Sequence, residues 1–164
     1  MPGVDFSRQA ESRGPGRRKG IQELVHLKKG IADNTATAVI TVTVPNKNVS
    51  AGIFLELVGA LGTGTDTFES TRIATGAIAI ARQAGANVVP AAATLGHAQI
   101  ATVSGGGTLT LAYAVSAVTG GVAAVNTFTI TVTLAKTGTI TDLQCMVRAR
   151  LLDAEGAGVA MARA

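Results

Sequence analysis

From residue 36 onward, apolar and polar residues alternate with a period of two, the signature of a strand with one face in a core. In residues 36–44, Ile40, Val42 and Val44 alternate with Thr41 and Thr43, and Pro45-Asn46 ends the run. In residues 51–58, Ile53, Leu55 and Leu57 share one face, with Phe54, Glu56 and Val58 on the other. Residues 69–82 alternate through Ile73, Ile78 and Ile80, and shorter candidates follow at 87–89 and 99–103. Residues 108–118 set Leu109, Leu111, Tyr113 and Val115 against Thr110, Ala112 and Ala114. The most regular strand is 126–134, with Phe128, Ile130, Val132 and Leu134 facing in and Thr127, Thr129, Thr131 and Thr133 facing out. In residues 143–151, Leu143, Cys145, Val147, Ala149 and Leu151 alternate with Gln144, Met146, Arg148 and Arg150.

This pattern predicts about eight strands separated by Gly, Asn and Thr turns, each apolar on one face. Such strands bury their apolar faces only by closing as two packed sheets or a barrel. The expected fold is therefore all-β, a jelly-roll-like β-sandwich of about eight strands. The 21 threonines suit the outer side of a pleated sheet, being β-branched and stiff at χ1.

The first 30 residues break the pattern. Residues 1–20 contain two prolines, four glycines and little apolar content, which predicts an extended segment. In residues 21–29, Ile21, Leu24, Val25 and Lys28 have helical spacing closed by Gly30, but a two-turn helix is marginal alone, and an arm strand ordered by a partner fits equally. The organisation expected is an extended basic arm over 1–30 and a β-sandwich body over 31–164. The arm has no apolar run of a secretory signal, and no segment approaches the ~18 apolar residues of a spanning helix, so a soluble protein made in the cytosol, without a membrane partner, is expected.

Charge sharpens that division. Residues 1–30 hold seven basic residues (Arg8, Arg13, Arg17, Arg18, Lys19, Lys28 and Lys29) against Asp5, Glu11 and Glu23, which accounts for the whole net charge of +4. The body is neutral, and the 53 residues between Arg82 and Lys136 contain no Asp, Glu, Lys or Arg. A free domain ordinarily keeps charges outside, so this stretch predicts surface covered by another chain. For the arm, the expected role is docking across a neighbouring subunit or a protein surface. A phosphate contact by Arg17-Arg18-Lys19 and Lys28-Lys29, weakened by the three acidic residues and by Phe6 as the sole stacking ring, and a merely solvated tail are the alternatives.

Catalytic and cofactor chemistry finds no constellation to support it. His26 and His97 have no Cys, His or acidic neighbour at metal-ligand spacing. Ser104, followed by three glycines, is not in a nucleophile elbow, and the Gly-rich stretches lack the Lys-Ser/Thr ending of a phosphate loop. Glu56, Asp66, Glu69, Asp142 and Asp153 are scattered, and the single Cys145 closes no internal disulfide. The expectation is a protein without catalytic activity, cofactor or metal.

Segments 32–46, 125–138 and 145–159 resemble small Ala/Thr/Gly-rich β-proteins of tailed-bacteriophage virions, of the capsid decoration or cement type. That resemblance implies a homotrimer on the capsid surface whose N-terminal arms clamp neighbouring major capsid subunits. Another virion component (head fibre, neck or tail protein) and a coat protein whose basic arm binds the genome are the alternatives. A carbohydrate-binding fibre head is disfavoured by the absence of Trp and the single Tyr113. Deleting residues 1–30 is expected to leave a folded oligomer that no longer binds shells.

Overall fold

The computed structural model of the chain describes residues 20–62, 68–102, 107–138, 141–154 and 156–164. Nine strands, β1 (Gly20–Lys28), β2 (Thr37–Val44), β3 (Val49–Gly62), β4 (Phe68–Arg82), β5 (Val89–Thr102), β6 (Leu109–Val115), β7 (Asn126–Lys136), β8 (Asp142–Asp153) and β9 (Ala160–Arg163), form two antiparallel sheets. The order is β1-β8-β3-β4-β5 in one sheet and β6-β7-β2-β9 in the other. The sandwich is all-β, as the period-two pattern requires.

The predicted inward faces are the core. Ile40, Val42, Val44, Ile53, Leu55, Leu57, Phe128, Ile130, Val132, Leu134, Leu143, Cys145, Val147, Ala149 and Leu151 are all buried between the sheets. Each such aliphatic or aromatic side chain contributes roughly 1.5–3 kcal/mol when fully withdrawn from water. Burial pushes the Cys145 thiol up to about 12, so it sits in the core as a small hydrophobe and is not a reactive nucleophile at neutral pH.

Three features depart from the sequence reading. Val89 and residues 99–102, from the short candidates at 87–89 and 99–103, belong to one long strand, β5, whose ladder with β4 is interrupted by two register shifts; Asn87 and Val88 precede it, and residue 103 lies outside the described residues. Residues 20–28, assigned to the arm, form β1 and pair with β8 from Gly20↔Asp153 to Lys28↔Cys145. Extended pairing satisfies every second backbone group of this segment, which an isolated two-turn helix would leave largely to water. The jelly-roll wrap is partial. β1 pairs β8 and β2 pairs β7 in nested fashion, but β3, β4 and β5 run as a meander within one sheet.

Side chains close the sandwich at its margins. On one margin, Gln22 of β1 donates from Nε2 to the Met161 carbonyl at 3.0 Å and accepts from the Met161 N–H at 2.9 Å, acting as a ladder partner for β9. On the other, the Tyr113 hydroxyl of β6 donates to the Ala93 carbonyl of β5. The Tyr113 ring lies on Gly76 of β4, in the space a Cβ would occupy, so this position admits no side chain.

At one end, buried Arg82 fastens the loops. Its guanidinium donates to the carbonyls of Ala86 (2.9 Å), Val44 (2.9 Å), Val122 (3.2 Å) and Ala124 (2.6 Å). Asn126, also buried, accepts from the Val88 N–H at 2.8 Å and donates to the Gly121 carbonyl at 3.1 Å. These bonds hold the β4–β5 turn and the β6–β7 loop against the end of β2.

Candidate interaction surface

Of the seven basic residues singled out in the sequence, two, Lys28 and Lys29, fall among the described residues. Arg8, Arg13, Arg17, Arg18 and Lys19 lie outside the described residues. Lys28 ends β1, where its ammonium donates to the Ala164 carbonyl at 3.1 Å, so this charge is used within the fold to tie β1 to the strand opposite. Lys29 follows, exposed. Because β1 is part of the sheet, a cut at residue 30 removes an edge strand together with the arm; a cut before Gly20 separates the two.

The structure instead assembles a surface from strands far apart in sequence. Of the ten large apolar side chains that the described residues leave exposed, six cluster on the outer face of three neighbouring strands of the five-stranded sheet: Ile21, Val25 and Leu27 on β1, Met146 and Leu152 on β8, and Phe54 on β3; Val89 of β5, level with Ala81, stands on the same face at the far edge. Registers align them in rows across the strands. Leu27, Met146, Val58 and Ile73 make one row; Ile21, Leu152, Gly52 and Ala79 make another. Between them run Glu23, Arg150, Phe54 and Ala77, and then Val25, Arg148, Glu56 and Thr75.

The charges in the middle rows cancel. Arg148 is bonded through Nε to the Glu23 carboxylate, and its Nη1 lies 3.4 Å from Glu56 Oε2; Glu23 first, then Glu56, holds it in its charged form. All three side chains are about half exposed, so water screens the pairs and they contribute little by themselves. Arg150, next to Glu23 in the ladder, makes no ion pair among the described residues. Two acids and two bases therefore leave an apolar face with no net charge.

The uncharged stretch from 83 to 135 lies elsewhere. It forms β5, β6 and most of β7, with their connections. Its outward residues on the four-stranded sheet are Thr and Ala: Thr129 and Thr127 sit opposite Thr41 and Thr43, and Ala114 and Ala112 sit beside Thr131 and Thr133. Several of these hydroxyls are satisfied locally, as in Thr131 to the Ala114 carbonyl at 3.4 Å and Thr110 to the Ala135 carbonyl at 3.2 Å. Among the described residues, no three His, Cys, Asp or Glu side chains gather as metal ligands would.

Sequence reading missed the apolar face because β1 was not recognised as a strand of the sheet. The available signal was the apolar content on both faces of 51–58 and 143–152, since Phe54, Val58, Met146 and Leu152 all fall on the side opposite the core.

No known protein family matches the chain, and no curated protein sequence matches it. The backbone is similar to part of the crystal structure of the Acinetobacter baumannii phage AM24 tailspike protein, at 10% identity and a TM-score of 0.53. The likeness covers 88% of this chain and 28% of the tailspike, so this chain spans under a third of that protein's length, and what the two share is the fold.

Proposed function

We propose that this chain is a non-enzymatic structural component of a bacteriophage virion, which works by assembly. The observation that carries the reading is the outer face of the five-stranded sheet, apolar, neutral and built from three strands. Contiguous exposed apolar surface of this kind is characteristic of association sites. Arg148 would enter such an interface already paired with Glu23 and Glu56, which leaves Arg150 as the charge that a partner has to satisfy.

The virion setting is supported by the Ala/Thr/Gly-rich strand style of 32–46, 125–138 and 145–159 and by the tailspike likeness of the backbone. Within the virion, the first placement is the capsid surface, as a decoration or cement protein contacting the major capsid protein, with the segment before Gly20 as clamp. The tailspike likeness favours a second placement, in the tail. Immunogold labelling of purified particles of the phage that encodes the chain tests both. Label on heads is expected for decoration and label on tails for the second placement; particles free of the chain would overturn the virion reading altogether.

A further inference from the structure

We propose that the outer face of the five-stranded sheet is covered by the same face of a second copy of this chain, through a two-fold axis running along the strands between β8 and β3. The inference deepens the assembly reading, naming the occupant of that face, and its test can fail separately from the virion setting.

Register sets which residues such a pair would bring together. A two-fold axis along the strands exchanges neighbouring columns and keeps each row, so every β8 residue faces the β3 residue that is its own ladder partner. The pairs are Leu152 with Gly52, Arg150 with Phe54, Arg148 with Glu56, and Met146 with Val58. One column further out, β1 faces β4. By combining the registers, Ile21 meets Ala79, Glu23 meets Ala77, Val25 meets Thr75, and Leu27 meets Ile73. Large side chains meet small ones in the first row of each set, as interdigitating sheet faces require. Arg148 meets an acid, and Arg150, which has no ion pair among the described residues, meets an aromatic ring. An axis across the strands would instead set Arg148 against Arg150.

Size agrees. Four strands about 4.8 Å apart and four rows about 6.8 Å apart span roughly 500 Å² in projection, and a corrugated side-chain surface exposes more than its projection. A stable pair buries about 800 Å² per partner. Extension of the sheet edge is a poorer route. Pro90 and the register shift at Thr75/Gly76 limit the free run of β5, and β1 carries Glu23 and Lys28. The geometry points to a pair, not to the trimer that the sequence resemblance implies.

The test is the solution mass of the full chain by light scattering after size exclusion. The expected mass is twice the 16.4 kDa of the chain. Phe54→Arg places a second guanidinium against Arg150 of the other copy and is expected to weaken pairing at least ~30-fold, giving a monomer. Phe54→Glu gives Arg150 a partner and is expected to keep the pair. Val122→Arg, on an equally exposed apolar residue off the face, is expected to change nothing. Circular dichroism melts of each variant report folding. A wild-type monomer or trimer, or equal loss of pairing in both Phe54 variants, would overturn the inference. A monomer still present in particles leaves the virion reading standing; a pair absent from particles removes that reading and keeps the inference.

Discussion

Both outer faces of the sandwich come from strands with the same period-two alternation, yet they carry opposite chemistry. On the four-stranded sheet, the outward positions of β2 and β7 are Thr41, Thr43, Thr127, Thr129, Thr131 and Thr133, flanked by alanines of β6 and β9. On the five-stranded sheet the outward positions include Ile21, Val25, Leu27, Phe54, Met146 and Leu152 around a compensated charge cluster. Threonine supplies β propensity and a polar group that water or the sheet can satisfy, as the Thr131 hydroxyl does with the Ala114 carbonyl, so that face has less need of a cover. The other face leaves apolar area in water, which costs about 25 cal/mol per Å² until something covers it. Among the described residues, the exposed apolar rows are the feature that the proposed association uses.

The comparison presumes that the two sheets stay clamped over one core, and the largest expected effect comes from breaking that clamp. Arg82→Met strips four carbonyls of their donor at a buried site, and a loss of about 3 kcal/mol is expected. Urea unfolding measures it; an unchanged midpoint would mean that the loops hold without the guanidinium. Next comes the margin between β5 and β6. Gly76→Val forces the Tyr113 ring out of its place, for an expected loss of roughly 1–3 kcal/mol. Tyr113→Phe in the same background should not restore stability, because the clash is with the ring.

The two faces themselves separate in smaller effects. At concentrations too low for association, Arg148→Ala and Thr131→Val should each leave the urea midpoint nearly unchanged, since both are surface positions. At high concentration the Arg148 variant alone should lower the solution mass, which analytical ultracentrifugation would show; equal behaviour of the two variants would erase the distinction between the faces.

The smallest expected effect is a pH slope at His26, on the inner side of β1. Its Nε2 is shielded and has no partner among the described residues; burial first, then the charges of Arg163 and Lys28, lowers its pKa from 6.5. A base whose folded pKa is depressed binds more protons when unfolded. Its contribution is therefore present in full above the unfolded pKa and declines as pH falls below about 6.5. Thermal melts between pH 8 and 5 (the range in which histidine titrates) should show that decline, and His26→Gln should flatten it.

Much of the fold was legible in the chain. Alternation located β2, β3, β4, β6, β7 and β8 and assigned their inward residues, because a strand half in water must repeat with period two. It failed where pattern is weak. β9 has four residues, too few for a period, and depends on β2 and on the Gln22 amide. β5 carries alanines on both faces, so its alternation is blurred.

What the sequence determined by itself is the fold class and the core, since a buried period-two face has few ways to close. It also fixed the segregation of basic residues before residue 30. The tertiary structure alone decided that residues 20–28 are an edge strand, and that Leu27, Met146, Val58 and Ile73 share a row although they come from four strands. Cross-strand register joins residues more than a hundred positions apart, and no local pattern records which strand will lie beside which. The exposed apolar face exists only once β1, β8 and β3 are neighbours.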